Sequence, residues 1–226
     1  MNMKQLAAEA AVDYVKDGMK VGLGTGSTAY FAINKLGERV KEGLQITAVA
    51  TSVASEEQAR ELGIPLVPFA QVDRLDLTID GADELDGSLR LIKGGGGALL
   101  REKIVAMGSD RMIVVADESK AVRTLGKFPL PVEIVPFAWE WTLKDILKLG
   151  CEAELRREGS ELYKTDNGNY IADCRFGAIE DPAAVAAALQ ALPGVVEHGL
   201  FIGIANMAIV GKSDGTIDII TAKEKA

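Results

Sequence analysis

The chain is expected to be an α/β protein: a mostly parallel sheet with helices on both faces, joined to a smaller α+β unit of βαββαβ order. Three observations lead there. Short apolar runs alternate with amphipathic helical patterns as far as Ala116, and parallel neighbours need such crossover helices. The runs are solidly apolar, as in strands covered on both faces. Polar and charged residues gather where the runs stop, and sheets of this kind bind ligands beyond the carboxyl ends of their strands.

Met3, Leu6, Ala7, Ala10 and Tyr14 follow helical spacing and Gly18 supplies the stop, so a helix is expected over Met3–Lys16. A short strand from Met19 then runs into Gly24-Thr25-Gly26-Ser27-Thr28 and a helical pattern over Ala29–Val40. This glycine-rich turn is not a dinucleotide fingerprint. In GxGxxG the third glycine would stand at Ser27, and the next strand, Leu44–Ser52, ends without an acid for a ribose diol. No Gly-Lys-Ser/Thr follows, which excludes a P-loop. Hydroxyls and amides at a helix N-terminus suit a single phosphate, and Ser27 or Thr28 can cap the same helix.

Helix Ser55–Leu62, strands Ile64–Phe69, Leu75–Asp80 and Leu89–Lys93, helix Ala98–Met107 and strand Arg111–Ala116 continue the alternation. Thr25–Thr28, Thr51-Ser52, Asp80–Asp83, Lys93 and Asp117-Glu118-Ser119-Lys120 then all fall just past strand ends. Two stretches concentrate the chemistry. Leu75–Asp80 ends on a carboxylate, and Gly81 frees the backbone to present a second, Asp83, three positions on. Leu89–Lys93 stops at a lysine, passes through Gly94, Gly95, Gly96 and Gly97, and enters a helix carrying Arg101, Glu102 and Lys103. Four glycines are entropically costly to order, and backbone amides that must approach a ligand need the missing Cβ. Before a helix start, such amides favour an anion.

After Gly126 the texture changes. Lys127-Phe128-Pro129-Leu130-Pro131 reads as a linker. Strand Val132–Val135, helix Trp139–Leu149, strand Cys151–Glu158, a turn at Asp166-Asn167-Gly168-Asn169, strand Tyr170–Phe176, helix Pro182–Leu192 and strand Val195–Ile202 follow, a ferredoxin-like order. Ala205–Val210 and Thr216–Ile220 read as a hairpin returning to the first sheet. Residues 1–127 and 204–226 are thus expected to form a Rossmann-like catalytic unit, and 128–203 an inserted ferredoxin-like one.

The 226-residue chain is 48% hydrophobic and 26% charged, an ordinary globular composition. No apolar run reaches the roughly 18 residues of a membrane helix, and the start has an acid and no greasy run, unlike a secretory leader. Cytoplasm is the expected compartment. A net charge of −8 argues against an extended nucleic-acid footprint. Cys151 and Cys174 read as reduced core thiols, and His198, the only histidine, as structural or surface rather than catalytic. Metal chemistry has little to build on.

Gly24–Thr28, Asp80-Gly81-Ala82-Asp83-Glu84, Lys93–Gly97 with Arg101-Glu102-Lys103, Asp117–Lys120, Gly126–Pro131 and Asp166–Asn169 together resemble, in order, the motifs of type A ribose-5-phosphate isomerases. The resemblance implies interconversion of ribose 5-phosphate and ribulose 5-phosphate, without metal or organic cofactor, in a homo-oligomer, a dimer or a tetramer. It assigns proton transfer to Glu102 and sets Lys93, with the amides of Gly94, Gly95 and Gly96, against the developing oxyanion. Asp80 and Asp83, with Gly81 and Ala82 between them, would hold sugar hydroxyls, either acid assisting ring opening. Thr25, Gly26, Ser27, Thr28 and Lys120 would hold the phosphate. Lys4 lies near a position that can approach phosphate in some relatives, but reads as an ordinary surface lysine. The rival readings are a sugar-phosphate sensor without turnover, which should carry a DNA-binding helix-turn-helix, and a deaminase or lactonase on a related fold.

Overall fold

Residues 2–222 are described by a computed structural model. Helix α1 (Met3–Val12), strand β1 (Lys20–Leu23), α2 (Ser27–Lys41), β2 (Thr47–Ala50) and α3 (Val53–Glu61) come first. Then follow β3 (Leu77–Gly81), β4 (Glu84–Asp86), β5 (Leu91–Ile92), α4 (Leu99–Met107), β6 (Met112–Asp117) and β7 (Ala121–Val122). The second half contains β8 (Leu130–Ile134), α5 (Trp139–Leu147), β9 (Glu152–Leu155), β10 (Arg157–Glu158), β11 (Glu161–Leu162), β12 (Tyr170–Arg175), α6 (Pro182–Gln190) and β13 (Val195–His198). It closes with β14 (Leu200–Phe201), β15 (Met207–Gly211) and β16 (Ile217–Thr221). Lys223–Ala226, at the end of the expected catalytic unit, lie outside the described residues.

The main sheet has the order β16-β15-β6-β3-β1-β2. Its five inner and far strands are parallel, and β16 returns antiparallel at one edge. Strand β6 shows why these runs are apolar throughout. Ile113 and Val115 pack with Ala7, Ala11, Ile33 and Leu36 of α1 and α2, whereas Met112, Val114 and Ala116 pack with Leu85, Leu91, Ala106 and Phe201 on the other face. Successive side chains point to opposite faces of a strand, and both faces here are core.

A second sheet, β13-β8-β12-β9, is antiparallel throughout, with its two helices following β8 and β12. This is the ferredoxin-like arrangement expected of the βαββαβ order. Its core holds Leu130, Val132, Ile134, Ile146, Ala172, Cys174 and Leu189. The two cysteines are buried and free. Among the described residues no helix is long and apolar enough to cross a membrane.

Four expected elements differ. Ile64–Phe69 makes only one bridge, Leu66 to Ala48, before a 3-10 turn, because Pro65 and Pro68 bring no amide to a ladder. Leu89–Lys93 is not a strand of the main sheet. Its Leu91–Ile92 core pairs antiparallel with β4 in a third sheet, β14-β5-β4-β7, since Asp86 Oδ1 accepts the amides of Ser88 and Arg90 and turns the chain back at once. Val195–Ile202 breaks at Gly199 into strands of two different sheets; a Cβ there would lie 2.2 Å from the Lys93 carbonyl oxygen. The expected linker ends in a buried strand, because Leu130 and Pro131 already belong to β8.

The turn before β8 is held by Glu84, which is buried at the start of β4. Its Oε2 accepts the Gly126 amide at 2.7 Å and its Oε1 the Phe128 amide at 2.6 Å. Glu84→Ala leaves both amides without a partner, at about 1–3 kcal/mol each. Urea unfolding should therefore show a stability loss of about 2–6 kcal/mol with an unchanged slope; an unshifted midpoint would mean that this clamp carries no stability.

Candidate active site

Asp80 sits near the end of β3 and Lys93 just past β5, and Glu102 lies in the first turn of α4. All three side chains are buried, Lys93 at 2% exposure. Lys93 Nζ donates to the Gly81 carbonyl at 2.5 Å and to Glu102 Oε1 at 3.1 Å, and lies 3.0 Å from Asp80 Oδ2. Burial opposes its charge, yet the two carboxylates outweigh burial and hold its pKa above the ordinary lysine value. Glu102 moves the other way. Burial pushes its pKa up to about 8; Lys93 draws it down, and Asp80 adds to the rise. Its second oxygen, Oε2, is buried without a hydrogen-bond partner among the described residues.

Asp80 Oδ1 accepts the amides of Thr25 at 3.0 Å and Gly81 at 2.7 Å, so this acid ties the first loop to the lysine. The approach is so close that a Cβ on Gly24 would lie 2.2 Å from Asp80 Oδ1. Asp83 Oδ2 accepts the Gly95 amide at 2.7 Å. In the glycine loop, Gly94 and Gly97 have φ of 106° and 81°, which L side chains resist. A Cβ on Gly95 would lie 2.5 Å from Asp83 Oδ1, and one on Gly97 would lie 2.1 Å from the Tyr163 hydroxyl. Helix α4 begins at Ala98 without a side-chain cap.

A cavity of about 240 Å³ gathers Lys4, Thr25–Thr28, Gly81–Asp83, Lys93–Gly96, Glu102 and Lys120. At its outer end, α2 starts at Gly26, with φ of 99° and no side-chain cap. The first amide of that turn to find a backbone partner is Tyr30, on Gly26. The amides of Ser27 and Thr28 therefore remain open to a ligand, as an anion site at a helix N-terminus requires. Neither side chain caps the helix, so this wall is not a self-satisfied helix start. Lys120 lines the same cavity from the 3-10 turn after β6, its ammonium 5.9 Å from the Phe128 ring.

Four expectations change. The Thr25 hydroxyl turns inward, 2.7 Å from Thr51 Oγ1 and 2.8 Å from Ser52 Oγ, so Thr25 faces the cavity with its backbone rather than its hydroxyl. Asp80 is not a cavity wall; of the two acids only Asp83 lines it. The Gly95 amide is engaged by Asp83, which leaves Gly94 and Gly96 as the open donors of the loop. Lys4, read from the sequence as an ordinary surface residue, lines the cavity and donates from Nζ to Ser27 Oγ at 2.9 Å. One lysine on the polar side of an amphipathic helix carries no mark of that contact.

Other charged motif residues hold the walls. Arg101 donates to Asn167 Oδ1 at 2.9 Å and to the Asp166 carbonyl at 2.9 Å, and Asp166 Oδ2 also accepts the Val53 amide at 2.8 Å. The 166–169 turn thus ties α4 to α3. Lys103 donates to Glu197 Oε1 and to the His198 carbonyl, both at 2.7 Å. His198 is buried; burial, then the nearby Lys103, lowers its pKa to about 4, so it is neutral and structural.

Residues 47–215 match the family of ribose 5-phosphate isomerase A (phosphoriboisomerase A). The ribose-5-phosphate isomerase A of Parvibaculum lavamentivorans is 55% identical over 228 residues, covering 98% of each chain. Among solved structures, a ribose 5-phosphate isomerase from Plasmodium falciparum superposes with a TM-score of 0.95 at 39% identity, covering 99% of both chains. A D-ribose-5-phosphate isomerase solved in complex with phospho-erythronic acid does so with a TM-score of 0.93 at 40% identity, over 98% of this chain and 100% of that one. With sequence and backbone alike over almost the whole length, the chain belongs to the ribose 5-phosphate isomerase A family.

Proposed function

We propose that this protein interconverts D-ribose 5-phosphate and D-ribulose 5-phosphate through an enediolate, with Glu102 as the base. The observation that carries this reading is the unpartnered Oε2 of Glu102, buried beside Lys93 in a cavity that is also lined by an uncapped helix N-terminus and two lysines. Glu102 takes the proton from C2 of the open-chain aldose, and the electron pair moves into the C1–C2 bond as charge develops on O1. The hydroxyl proton passes from O2 to O1. Glu102 then returns its proton to C1, which leaves the ketose. A base of this kind contributes about 10²–10⁴ in rate.

Lys93 and the open amides of Gly94 and Gly96 face the oxyanion as preorganised donors. Asp83 holds sugar hydroxyls and assists ring opening, and Asp80 acts behind the lysine by fixing its position. Ser27, Thr28, Lys4 and Lys120 hold the phosphate. The relatives and solved structures that match nearly the whole chain are named as isomerases, so the sensor reading is not favoured.

We infer further that residues 1–127 and 204–226 form the catalytic unit around an inserted 128–203. The protein then acts in the cytoplasm, in the non-oxidative branch of the pentose phosphate pathway, as a homo-oligomer. Phe137 and Trp141, 87% and 74% exposed at the start of α5, support an interface.

Glu102→Gln should reduce kcat by about 10²–10⁴ while phospho-erythronic acid still binds. Near-normal turnover would remove Glu102 as the base. In heavy water the wild type should form ketose with deuterium entering at the proton-transfer carbon. Lys4→Ala and Lys120→Ala should each raise KM about tenfold to hundredfold, the scale of one hydrogen bond to a charged group, with kcat little changed; an unchanged KM removes that lysine from the phosphate end. The base must be ionised, and burial raises its pKa, so kcat/KM should fall as pH drops through about 8. An acid limb at about 6, where a phosphate monoester takes its second proton, would assign the limb to the substrate instead.

A further inference from the structure

Beside the packing of Pro131 on Gly94, one guanidinium from the second half grips the glycine loop. Arg156 lies between β9 and β10, and its side chain is 16% exposed. Nε and Nη2 pair with Asp173 Oδ2 and Oδ1 at 3.0 and 2.6 Å, a two-point fork. The remaining terminal nitrogen, Nη1, donates to the carbonyls of Gly94 at 2.9 Å and Gly95 at 3.1 Å. The guanidinium also lies 5.8 Å from the ring of Tyr163, whose hydroxyl packs on Gly97.

Peptide planarity turns these carbonyl contacts into a statement about amides. No cis peptide occurs among the described residues, so each carbonyl and the N–H that follows it point in opposite directions. The Gly94 carbonyl is held by Arg156, and the Gly95 N–H is therefore sent the other way, where Asp83 Oδ2 accepts it at 2.7 Å. The Gly95 carbonyl is held by the same nitrogen, and the Gly96 N–H is likewise sent away from Arg156. That amide has no partner among the described residues, and Gly96 lines the cavity whereas Arg156 does not. A run of glycines has several accessible peptide orientations; the Gly97 amide also holds the Gly94 carbonyl from within the loop at 3.0 Å, whereas for the Gly95 carbonyl Arg156 is the donor found among the described residues.

We propose that Arg156, held by Asp173, is a positioning residue for the isomerisation: by gripping two carbonyls from behind, it aims the Gly96 amide at the enediolate oxygen and sets the Gly95 amide on Asp83. The proposal rests on the isomerase reading above. It links the second sheet to the chemistry without any of that sheet's side chains entering the cavity through this contact. The guanidinium also polarises both peptides, which strengthens the N–H groups on their far sides.

The test uses the full-length protein with Arg156→Lys, which keeps a positive charge beside Asp173 but cannot fork onto it and reach both carbonyls. Ribose 5-phosphate turnover is measured together with inhibition by two probes. Phospho-erythronic acid carries a carboxylate in place of the enediolate oxygens; inorganic phosphate reports the phosphate end alone. The expected result is a kcat lower by about 10²-fold, the low end of what loss of one oxyanion donor costs, with KM little changed. Inhibition by phospho-erythronic acid should weaken in parallel while inhibition by phosphate stays the same. Unchanged kcat overturns the proposal, and so does weakening of both inhibitors together, which marks general distortion. Asp173→Asn keeps the guanidinium but loosens its fork and should show the same pattern at smaller size; it decides the matter if Arg156→Lys does not fold. A wild type that makes no ketulose would defeat the isomerase reading itself, whereas an active wild type with an equally active Arg156→Lys defeats only this proposal.

Discussion

A lysine ammonium with almost no access to water is the constraint on which this structure turns. Taking such a charge out of water is tolerable only where its protons are met and opposite charge lies close. Around Lys93 three groups do this: the Gly81 carbonyl, Glu102 and Asp80. They come from the end of β3 and the first turn of α4, so the lysine can be satisfied only when the sheet, the β4–β5 hairpin and the helix have all assembled. One ammonium between two carboxylates leaves a surplus of negative charge. That surplus, with burial, is what makes Glu102 a stronger base than an ordinary glutamate.

The surroundings follow from keeping this cluster dry and its free oxygen accessible. Backbone must come within contact distance of charged side chains, and glycines at positions 24 and 95 allow it. The proposed phosphate end is built from the starts of α1 and α2, and joins the charged cluster through the Thr25 amide on Asp80. Behind Thr25, the hydroxyls of Thr51, Ser52 and Ser55 form a buried set that holds its side chain inward. On the far wall Glu133 is fully buried on β8, and its Oε1 accepts from Thr165 and Asn169 at 2.9 and 2.8 Å. It thereby stiffens the turn that grips Arg101 next to the base. The second sheet supports the site from outside, through Arg101 and Arg156 on one side and Lys103 on the other.

Much of this was legible in the chain. The solid apolar strands, the crossover helices and the βαββαβ order predict both larger sheets, and the strand ends locate the cavity. Six motifs in order point to the family. Elements failed where a local device overrode periodicity: prolines at 65 and 68 dissolve one strand, Asp86 folds another into a hairpin, and Gly199 splits a third. Among site residues, Lys4 carries no local signal, because the helix that bears it looks like any amphipathic helix. Thr25 has the right chemistry for a phosphate, but its neighbours in space, 26 to 30 positions along the chain, take its hydroxyl.

By itself the sequence determined the fold class, the glycine-rich turns and the set of acids, lysines and hydroxyls from which the site is drawn, since periodicity, turn chemistry and residue type are local properties. Tertiary structure alone decided which of them do what. Burial and distance sort the acids, placing Asp80 behind Lys93, Asp83 in the wall and Glu102 with an oxygen free, and peptide planarity sets which glycine amides are open. These are relations between groups far apart in the chain, and desolvation and electrostatics depend on where groups lie in space rather than on their order.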